Sequence, residues 1–146
     1  NYRLTDIAAS LGLNQMKKIN SILIKRNKIA KFYNEKLKDL PLILPIVEKI
    51  ASSSFHLFSI SITLPEAEKV QKKLYNYLKL NGIITNLHYL PVHLHPFYRK
   101  QGFKVNDFPN AEFHAKSSLS IPIYPNLKFE SQKKIVNLIK KFFKKY

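Results

Sequence analysis

The apolar residues of this 146-residue chain change their spacing several times, and this changing period limits the folds open to it. From Thr5 to Leu37 they recur every three or four residues, which indicates a long amphipathic helical segment. Thr5 and Asp6 suit the start of a helix, and Asn20 and Ser21 suit a restart after a break. The segment is therefore predicted to form two helices in series.

Beyond this segment, strand-like and helix-like periods alternate. Phe58, Ile60 and Ile62 are separated by serines, which predicts a strand over residues 55–62 that also turns His56 toward the core. The other predicted elements are an extended stretch between Pro41 and Pro45, helices over residues 65–81, 110–116 and 130–143, and strands over residues 83–87 and 119–123.

This order of elements favours one class of fold. Three separated strands are too few for a doubly wound parallel sheet, and they are not arranged as repeated strand–helix–strand units. We therefore expect an α+β fold, in which a small and mostly antiparallel sheet is covered by helices.

The charge of the chain raises the question of nucleic-acid binding. It carries 25 Lys and Arg residues against 9 Asp and Glu, a formal net charge of +16. All but three of these cations are lysine, whereas specific readout favours the planar guanidinium of arginine. We expect no specific nucleic-acid partner. The alternative is a noncatalytic basic module that binds nucleic acid or an acidic partner through its lysine-rich helix faces.

Several kinds of chemistry lack the residues that they require. The absence of cysteine excludes disulfides, thiolate zinc sites and cysteine nucleophiles. No apolar run approaches the roughly 20 residues that span a bilayer, and three glycines form no phosphate-binding loop. The chain opens on Asn1 and carries no catalytic constellation of its own, so we expect it to be a piece of a longer protein.

Residues 88–109 have neither helical nor strand period and are predicted to form an ordered loop. The spacing of His88, His93 and His95 in the sequence resembles that of metal ligands. Prolines separate these histidines and the nearest acid is Asp107, so we predict no metal site. His114 is expected on a helix surface.

Two interpretations of this loop remain open. In the first, its histidines hydrogen-bond a polar ligand while Tyr89, Phe97 and Tyr98 offer flat faces to a ring. In the second, the aromatic residues fill the core of the domain itself.

The first three residues form a second candidate site. Asn1, Tyr2 and Arg3 precede a predicted helix start, where an amide and a guanidinium can both reach an anion.

Several motifs, taken together and in order, resemble the DegT/DnrJ-type sugar aminotransferases, and in particular the members that act in pseudaminic acid biosynthesis. They are Asn1-Tyr2-Arg3-Leu4-Thr5-Asp6-Ile7-Ala8-Ala9, Leu11-Gly12-Leu13-Asn14-Gln15-Met16, His88-Tyr89, Pro91-Val92-His93, Pro96-Phe97-Tyr98, Phe108-Pro109-Asn110-Ala111-Glu112 and Leu119-Ser120-Ile121-Pro122-Ile123-Tyr124-Pro125.

The resemblance implies a fold, a cofactor and partners. The family's enzymes bind pyridoxal phosphate, have the fold-type-I (aspartate-aminotransferase-like) architecture and act as cytoplasmic homodimers on glutamate and a nucleotide-sugar substrate. This chain would then comprise an interdomain helical segment at residues 1–40 and the small C-terminal domain at residues 41–146. The large cofactor-binding domain and its Schiff-base lysine would lie upstream, so the chain alone would be inactive.

The resemblance also implies roles for individual residues. Asn1 would reach the cofactor phosphate of the neighbouring subunit, and Arg3 would hold an anionic group of the amino donor or substrate, with Tyr2 beside it. The residues that would line the sugar-nucleotide pocket are His88, Tyr89, His93 and Tyr98. It implies no catalytic residue and no metal ligand within these 146 residues.

Overall fold

The computed structural model describes residues 3–146, and it begins with two helices in series as predicted. Helix α1 spans Asp6–Met16, and its N-cap Thr5 accepts a hydrogen bond from the Ala8 amide at 3.3 Å. Helix α2 spans Ile19–Leu37. The break therefore falls at Lys17 and Lys18, and the predicted restart at Asn20 and Ser21 is wrong. Lys18 starts α2 without any side-chain cap, so cap-forming residue types do not mark this boundary.

The sheet has three antiparallel strands in the order β1-β2-β3, which confirms the predicted fold class. Strand β1 is Leu42–Ile43, β2 is Phe58–Ile62 and β3 is Ser118–Ile121. Leu42 pairs with Ile62 across the first ladder, and Phe58 pairs with Ile121 across the second. The extended stretch between the two prolines thus supplies the short edge strand.

The strand predicted over residues 83–87 is not formed and is replaced by one isolated bridge. Asn86 and Ser120 exchange both backbone hydrogen bonds, at 3.1 and 2.8 Å. In an antiparallel ladder the next hydrogen-bonded pair on one side would join Ile84 to Pro122. Proline has no amide hydrogen, so the ladder stops after a single pair.

With one exception, the remaining helices fall close to their predicted positions. They are α3 at Ala67–Leu80, α4 at Pro96–Lys100, α5 at Pro109–Ser117 and α6 at Phe129–Phe143. Helix α4 and a 3₁₀ turn at Val92–Leu94 lie in the segment predicted as loop alone. Pro96 at the first helical position is the local signal for α4, because its fixed φ suits a helix start.

The core lies where β2 meets the helices. Phe58, Ile60 and Ile62 of β2 are fully buried, as the alternating pattern predicts. They are packed in one cluster with buried residues of three helices and one strand, among them Tyr33 and Leu37 of α2, Leu74 and Leu78 of α3, Leu119 of β3, and Ile135 and Ile139 of α6.

His56 does not take its predicted place in this core. It is exposed, while the preceding Phe55 is buried, because β2 begins only at Phe58. Phe55 adopts a positive φ of 42°, and Arg26 donates to the carbonyls of Phe55 and His56 at 2.8 and 3.0 Å. An arginine clamp, rather than a strand ladder, therefore fixes this segment.

No helix within residues 3–146 is long and apolar enough to cross a membrane.

Candidate functional site

A partly open cleft of about 410 Å³ lies between α3, α5 and residues 87–94. Its polar lining comes from Glu68, Gln71 and Lys72 of α3, His88 and Tyr89 of the connecting segment, and Glu112 and Lys116 of α5. Small-molecule sites usually measure 300–1,000 Å³ and place a few polar groups on an apolar wall. The size and lining of this cleft are those of a site for a small polar ligand.

The end of α3 directs the chain toward this cleft. Asn81 hydrogen-bonds the Tyr77 carbonyl at 2.8 Å, and Gly82 takes a φ of +76°, which glycine adopts without steric cost. The Asn86–Ser120 bridge then holds the following residues beside β3. His88 and Tyr89 follow this bridge by two and three residues, so the sheet fixes where the segment that carries them begins.

His88 carries the most informative atoms of the cleft. Its Nδ1 and Nε2 are both buried, and neither has a hydrogen-bond partner among residues 3–146. A buried polar group without a partner costs about 1–3 kcal/mol. The imidazole lies edge-to-face against the Tyr89 ring, with centroids 4.7 Å apart. The atoms that cover both nitrogens must move before a ligand in the cleft can bond them, which makes this imidazole a candidate ligand contact rather than a preformed one.

Tyr89 provides a flat surface beside this imidazole. Its side chain is 77% exposed, so its ring is open to a planar or cyclic partner. The exposure of Tyr89 contradicts the second interpretation of the loop, because this side chain does not fill the core of the domain. The first interpretation, ligand binding, stays a prediction.

The structure divides the four predicted pocket residues between two clefts. His88 and Tyr89 line the cleft described above, whereas His93 and Tyr98 line a neighbouring apolar cleft with Phe103 and Phe108. His93 is only 7% exposed, and its Nε2 lies 3.0 Å from Glu112 Oε1. A ligand-binding role for His93 and Tyr98 stays a prediction.

The histidines of the loop are not gathered around one point. His93 is paired with Glu112, and His95 Nε2 donates to the Leu90 carbonyl at 3.2 Å. In the described part of the chain no three His, Asp or Glu side chains are arranged to hold a metal ion. His114 is exposed on α5, which confirms its predicted place.

Five polar residues of the cleft were not among the predicted site residues. Gln71 is buried and donates to the carbonyls of Ala115 and Ser118 at 3.0 and 2.6 Å, which fixes α5 on α3. Lys72 pairs with Glu68 at 2.7 Å, and its hydrogen bond lowers the pKa of the Glu68 carboxyl. Glu112 and Lys116 complete the set. Only tertiary packing brings α3 and α5 together, so no local sequence signal identifies these residues.

The second candidate site lies at the start of the chain, and two of its members, Asn1 and Tyr2, lie outside the described residues. Arg3 is exposed just before α1, and no hydrogen bond or ion pair joins it to the rest of residues 3–146. Its guanidinium is therefore available to an anion.

None of the lysines in residues 3–146 is buried, and this bears on the cofactor implied by the resemblance. A lysine that forms a Schiff base must be desolvated or otherwise lowered in pKa. The two lysines at the cleft, Lys72 and Lys116, have side chains that are 65% and 50% exposed and face glutamates. The described residues therefore do not fit the covalent attachment of pyridoxal phosphate.

The sheet, its covering helices and the loop-edged cleft together define the small C-terminal domain of a fold-type-I enzyme. More particularly, the chain belongs to the DegT/DnrJ/EryC1/StrS aminotransferase family, whose model matches residues 1–140.

Individual relatives support this assignment. An uncharacterised protein of Methanocaldococcus jannaschii is 40% identical over 142 residues, which are 96% of this chain and 37% of that protein. The UDP-4-amino-4,6-dideoxy-N-acetyl-β-L-altrosamine transaminase of Campylobacter jejuni is 34% identical over 134 residues, which are 91% and 35% of the two chains.

A solved structure agrees in fold. The PLP form of Spr1654 from Streptococcus pneumoniae, assigned as a sugar aminotransferase, superposes with a TM-score of 0.90 at 26% identity and covers 98% of this chain and 36% of its own. The chain thus spans little more than a third of the length of these relatives.

Proposed function

We propose that the protein containing this chain transfers an amino group from glutamate to a keto carbon of a nucleotide-linked sugar. The substrate we infer is a UDP-4-keto-6-deoxy-N-acetylhexosamine, used for glycan or flagellin sugar biosynthesis. The membership in an aminotransferase family and the similarity to the Campylobacter jejuni transaminase support this proposal. We further propose a cytoplasmic homodimer.

The observation that carries the proposal is the pairing of His88 with Tyr89 in one cleft. The two ring nitrogens of His88, which lack protein partners, would hydrogen-bond a sugar hydroxyl, an amide or a uracil edge once the atoms that cover them move aside. The exposed Tyr89 ring would pack against the flat side of the same ligand. These are the two kinds of contact that a nucleotide sugar requires of a pocket.

The remaining roles concern the start of the chain. We assign Asn1 to the cofactor phosphate of the neighbouring subunit and Arg3, with Tyr2, to the carboxylate of the amino donor or to a substrate anion. A guanidinium forms a two-point contact with a carboxylate, which fixes orientation as well as charge. Pyridoxal phosphate, when bound, supplies an electron sink for the transfer. Its lysine belongs, in this proposal, to the part of the family's length outside these 146 residues, so the chain alone is inactive.

Helix α1 supports this division of the protein. It buries no residue, and its apolar side chains are exposed, including Ile7 at 76%, Leu11 at 62% and Met16 at 63%. We propose that residues 1–40 form the interdomain segment, that α1 packs on the upstream domain, and that residues 41–146 form the small domain. The second half of α2 already contributes Ile29, Ala30, Tyr33 and Leu37 to the core of that domain.

His88 provides the test of the sugar site. In the full-length protein, His88→Ala is expected to raise KM for the nucleotide sugar about tenfold or more, because each lost hydrogen bond to a bound ligand is worth about 0.5–1.5 kcal/mol. The KM for glutamate should stay within about twofold of wild type, as expected for the loss of binding to one substrate only. Steady-state kinetics with each substrate varied in turn measure both values.

His114→Ala is the matched control, because His114 is an exposed histidine of α5 that does not line the cleft. Its kinetics should match those of wild type. An unchanged sugar KM in His88→Ala would remove His88 from the site.

A further inference from the structure

We infer that Glu112 is a positioning residue for the nucleotide-sugar site, because its carboxylate anchors both ends of the loop that follows His88 and Tyr89. This inference rests on the proposed function for the identity of the substrate. The anchoring itself is a property of the described residues.

The anchor is a single oxygen atom. Glu112 Oε1 lies 3.0 Å from His93 Nε2 and accepts a hydrogen bond from the Asn106 amide at 2.6 Å. An ionised carboxylate only accepts, so His93 Nε2 is the donor in this pair. Because His93 stands near the start of the loop and Asn106 near its end, one carboxylate ties both to α5.

The other contacts that hold the loop lie within the loop itself, among them the packed rings of Tyr98, Phe103 and Phe108 and a hydrogen bond from the Lys104 amide to Asp107. From His88 to Ala111, His93 is the one residue classed as buried, and residues 95–111 are all exposed. Its regular structure is limited to the 3₁₀ turn Val92–Leu94 and the five-residue α4. Asn106 also adopts a φ of +75°, a conformation that asparagine tolerates but does not strongly favour. Glu112 therefore supplies the hydrogen bonds that tie the two ends of this exposed loop to α5.

The surroundings of Glu112 favour the ionised carboxylate, which is the form that accepts both hydrogen bonds. The hydrogen bond from His93 lowers the pKa of the Glu112 carboxyl, and the Asn106 amide, the His93 charge and Lys116 act in the same direction while burial opposes them. Lys116 Nζ lies 3.9 Å from Glu112 Oε2, and the His93 ring packs on Phe108 with centroids 4.9 Å apart.

The residue that anchors the loop and the residues of the proposed sugar site line the same cleft. Glu112 and Lys116 line the same cleft as His88 and Tyr89, and the Val92–Leu94 turn that carries His93 follows Tyr89 by three residues. When the loop is displaced, Tyr89 and His88 lose their fixed position over the cleft. Because Glu112 is only 3% exposed and its Oε1 is engaged by His93 and the Asn106 amide, it acts on the substrate through His93 and the loop.

The test uses the full-length protein and the isosteric variant Glu112→Gln, which keeps the shape and an acceptor oxygen but removes the charge. Charge-assisted hydrogen bonds are about twice as strong as neutral ones, so we expect KM for the nucleotide sugar to rise roughly fivefold while kcat and the glutamate KM change less than about twofold. Glu130→Gln is the control, because Glu130 is an exposed acid on α6 that forms an ion pair with Lys133 and does not line the cleft.

A double-mutant comparison examines the pairing. His93→Gln should raise the sugar KM to a similar extent. In the double variant His93→Gln/Glu112→Gln, the fold-increase in the sugar KM should be smaller than the product of the two single fold-increases, because both changes weaken one contact. A fold-increase in the double variant equal to the product of the two single fold-increases would contradict the pairing of His93 with Glu112.

Hydrogen exchange gives a readout that does not depend on activity. The Asn106 amide should exchange at least about tenfold faster in Glu112→Gln than in wild type, since its protecting acceptor is weakened. Faster exchange with an unchanged sugar KM would overturn the positioning role, and unchanged exchange would overturn the anchor itself. A wild-type protein that transfers no amino group to a nucleotide sugar would instead refute the proposed function, with the exchange result still deciding whether Glu112 anchors the loop.

Discussion

Arg3→Ala is expected to lower kcat/KM with the amino donor by roughly 10- to 100-fold in the full-length protein, because a hydrogen bond to a charged group is worth about 1.5–3 kcal/mol. Arg3 is exposed and makes no hydrogen bond or ion pair within residues 3–146. Its replacement should therefore leave the free energy of unfolding within about 0.5 kcal/mol of wild type, as is usual for surface positions.

One further variant separates charge from geometry at Arg3, and a second one serves as its control. Arg3→Lys should recover only part of the activity, because an ammonium cannot replace the planar two-point contact of a guanidinium with a carboxylate. Lys17→Ala removes an exposed cation just after α1 and should have no effect on kinetics. If Arg3→Ala keeps wild-type kinetics, Arg3 does not belong to the donor site.

Phe58→Ala is expected to lower the free energy of unfolding by about 3–5 kcal/mol, which is the usual cost of truncating a large buried aromatic side chain. Phe58 is fully buried in β2, and its ring packs edge-to-face on Tyr33 with centroids 5.2 Å apart. The truncation therefore removes both buried area and a specific ring contact that links the sheet to α2. Urea unfolding followed by circular dichroism measures the change.

Phe97→Ala is the matched control for this prediction. Phe97 is 66% exposed on α4, so its loss should cost less than about 1 kcal/mol. A cost for Phe58→Ala that is no larger than that of Phe97→Ala would contradict the described core.

The strongly periodic parts of the fold could be predicted from the sequence. Helices α3 and α6 each place apolar residues on one face and lysines on the other, and Phe58, Ile60 and Ile62 alternate clearly along β2. In these segments local pattern and tertiary packing agree, so the buried face is encoded in the spacing itself.

The errors arose where a distant residue decides the local structure. Whether residues 83–87 form a strand depends on Pro122 of the neighbouring segment, which lacks the amide that the ladder needs. The alternation of apolar residues over 55–62 shows which residues share a face of the strand. It does not show where the strand begins, and β2 begins only after His56.

The candidate site was predicted only in part, for the same physical reason. His88 and Tyr89 are adjacent in sequence and conspicuous in type, so they could be singled out before the fold was known. His93 and Glu112 are 19 residues apart, and their pairing depends on how the loop folds back onto α5. A buried polar pair of this kind leaves no periodic signal in the sequence.

The central claim, that these residues are the small domain of a pyridoxal-phosphate-dependent sugar aminotransferase whose cofactor lysine lies elsewhere, can be tested by one measurement. Full-length protein is incubated with pyridoxal phosphate, reduced with borohydride and mapped by mass spectrometry, so that the lysine carrying the cofactor retains a pyridoxyl group. The account predicts one stoichiometrically labelled lysine, located outside residues 1–146. A label on a lysine within residues 1–146, or no specific label at all, would contradict it.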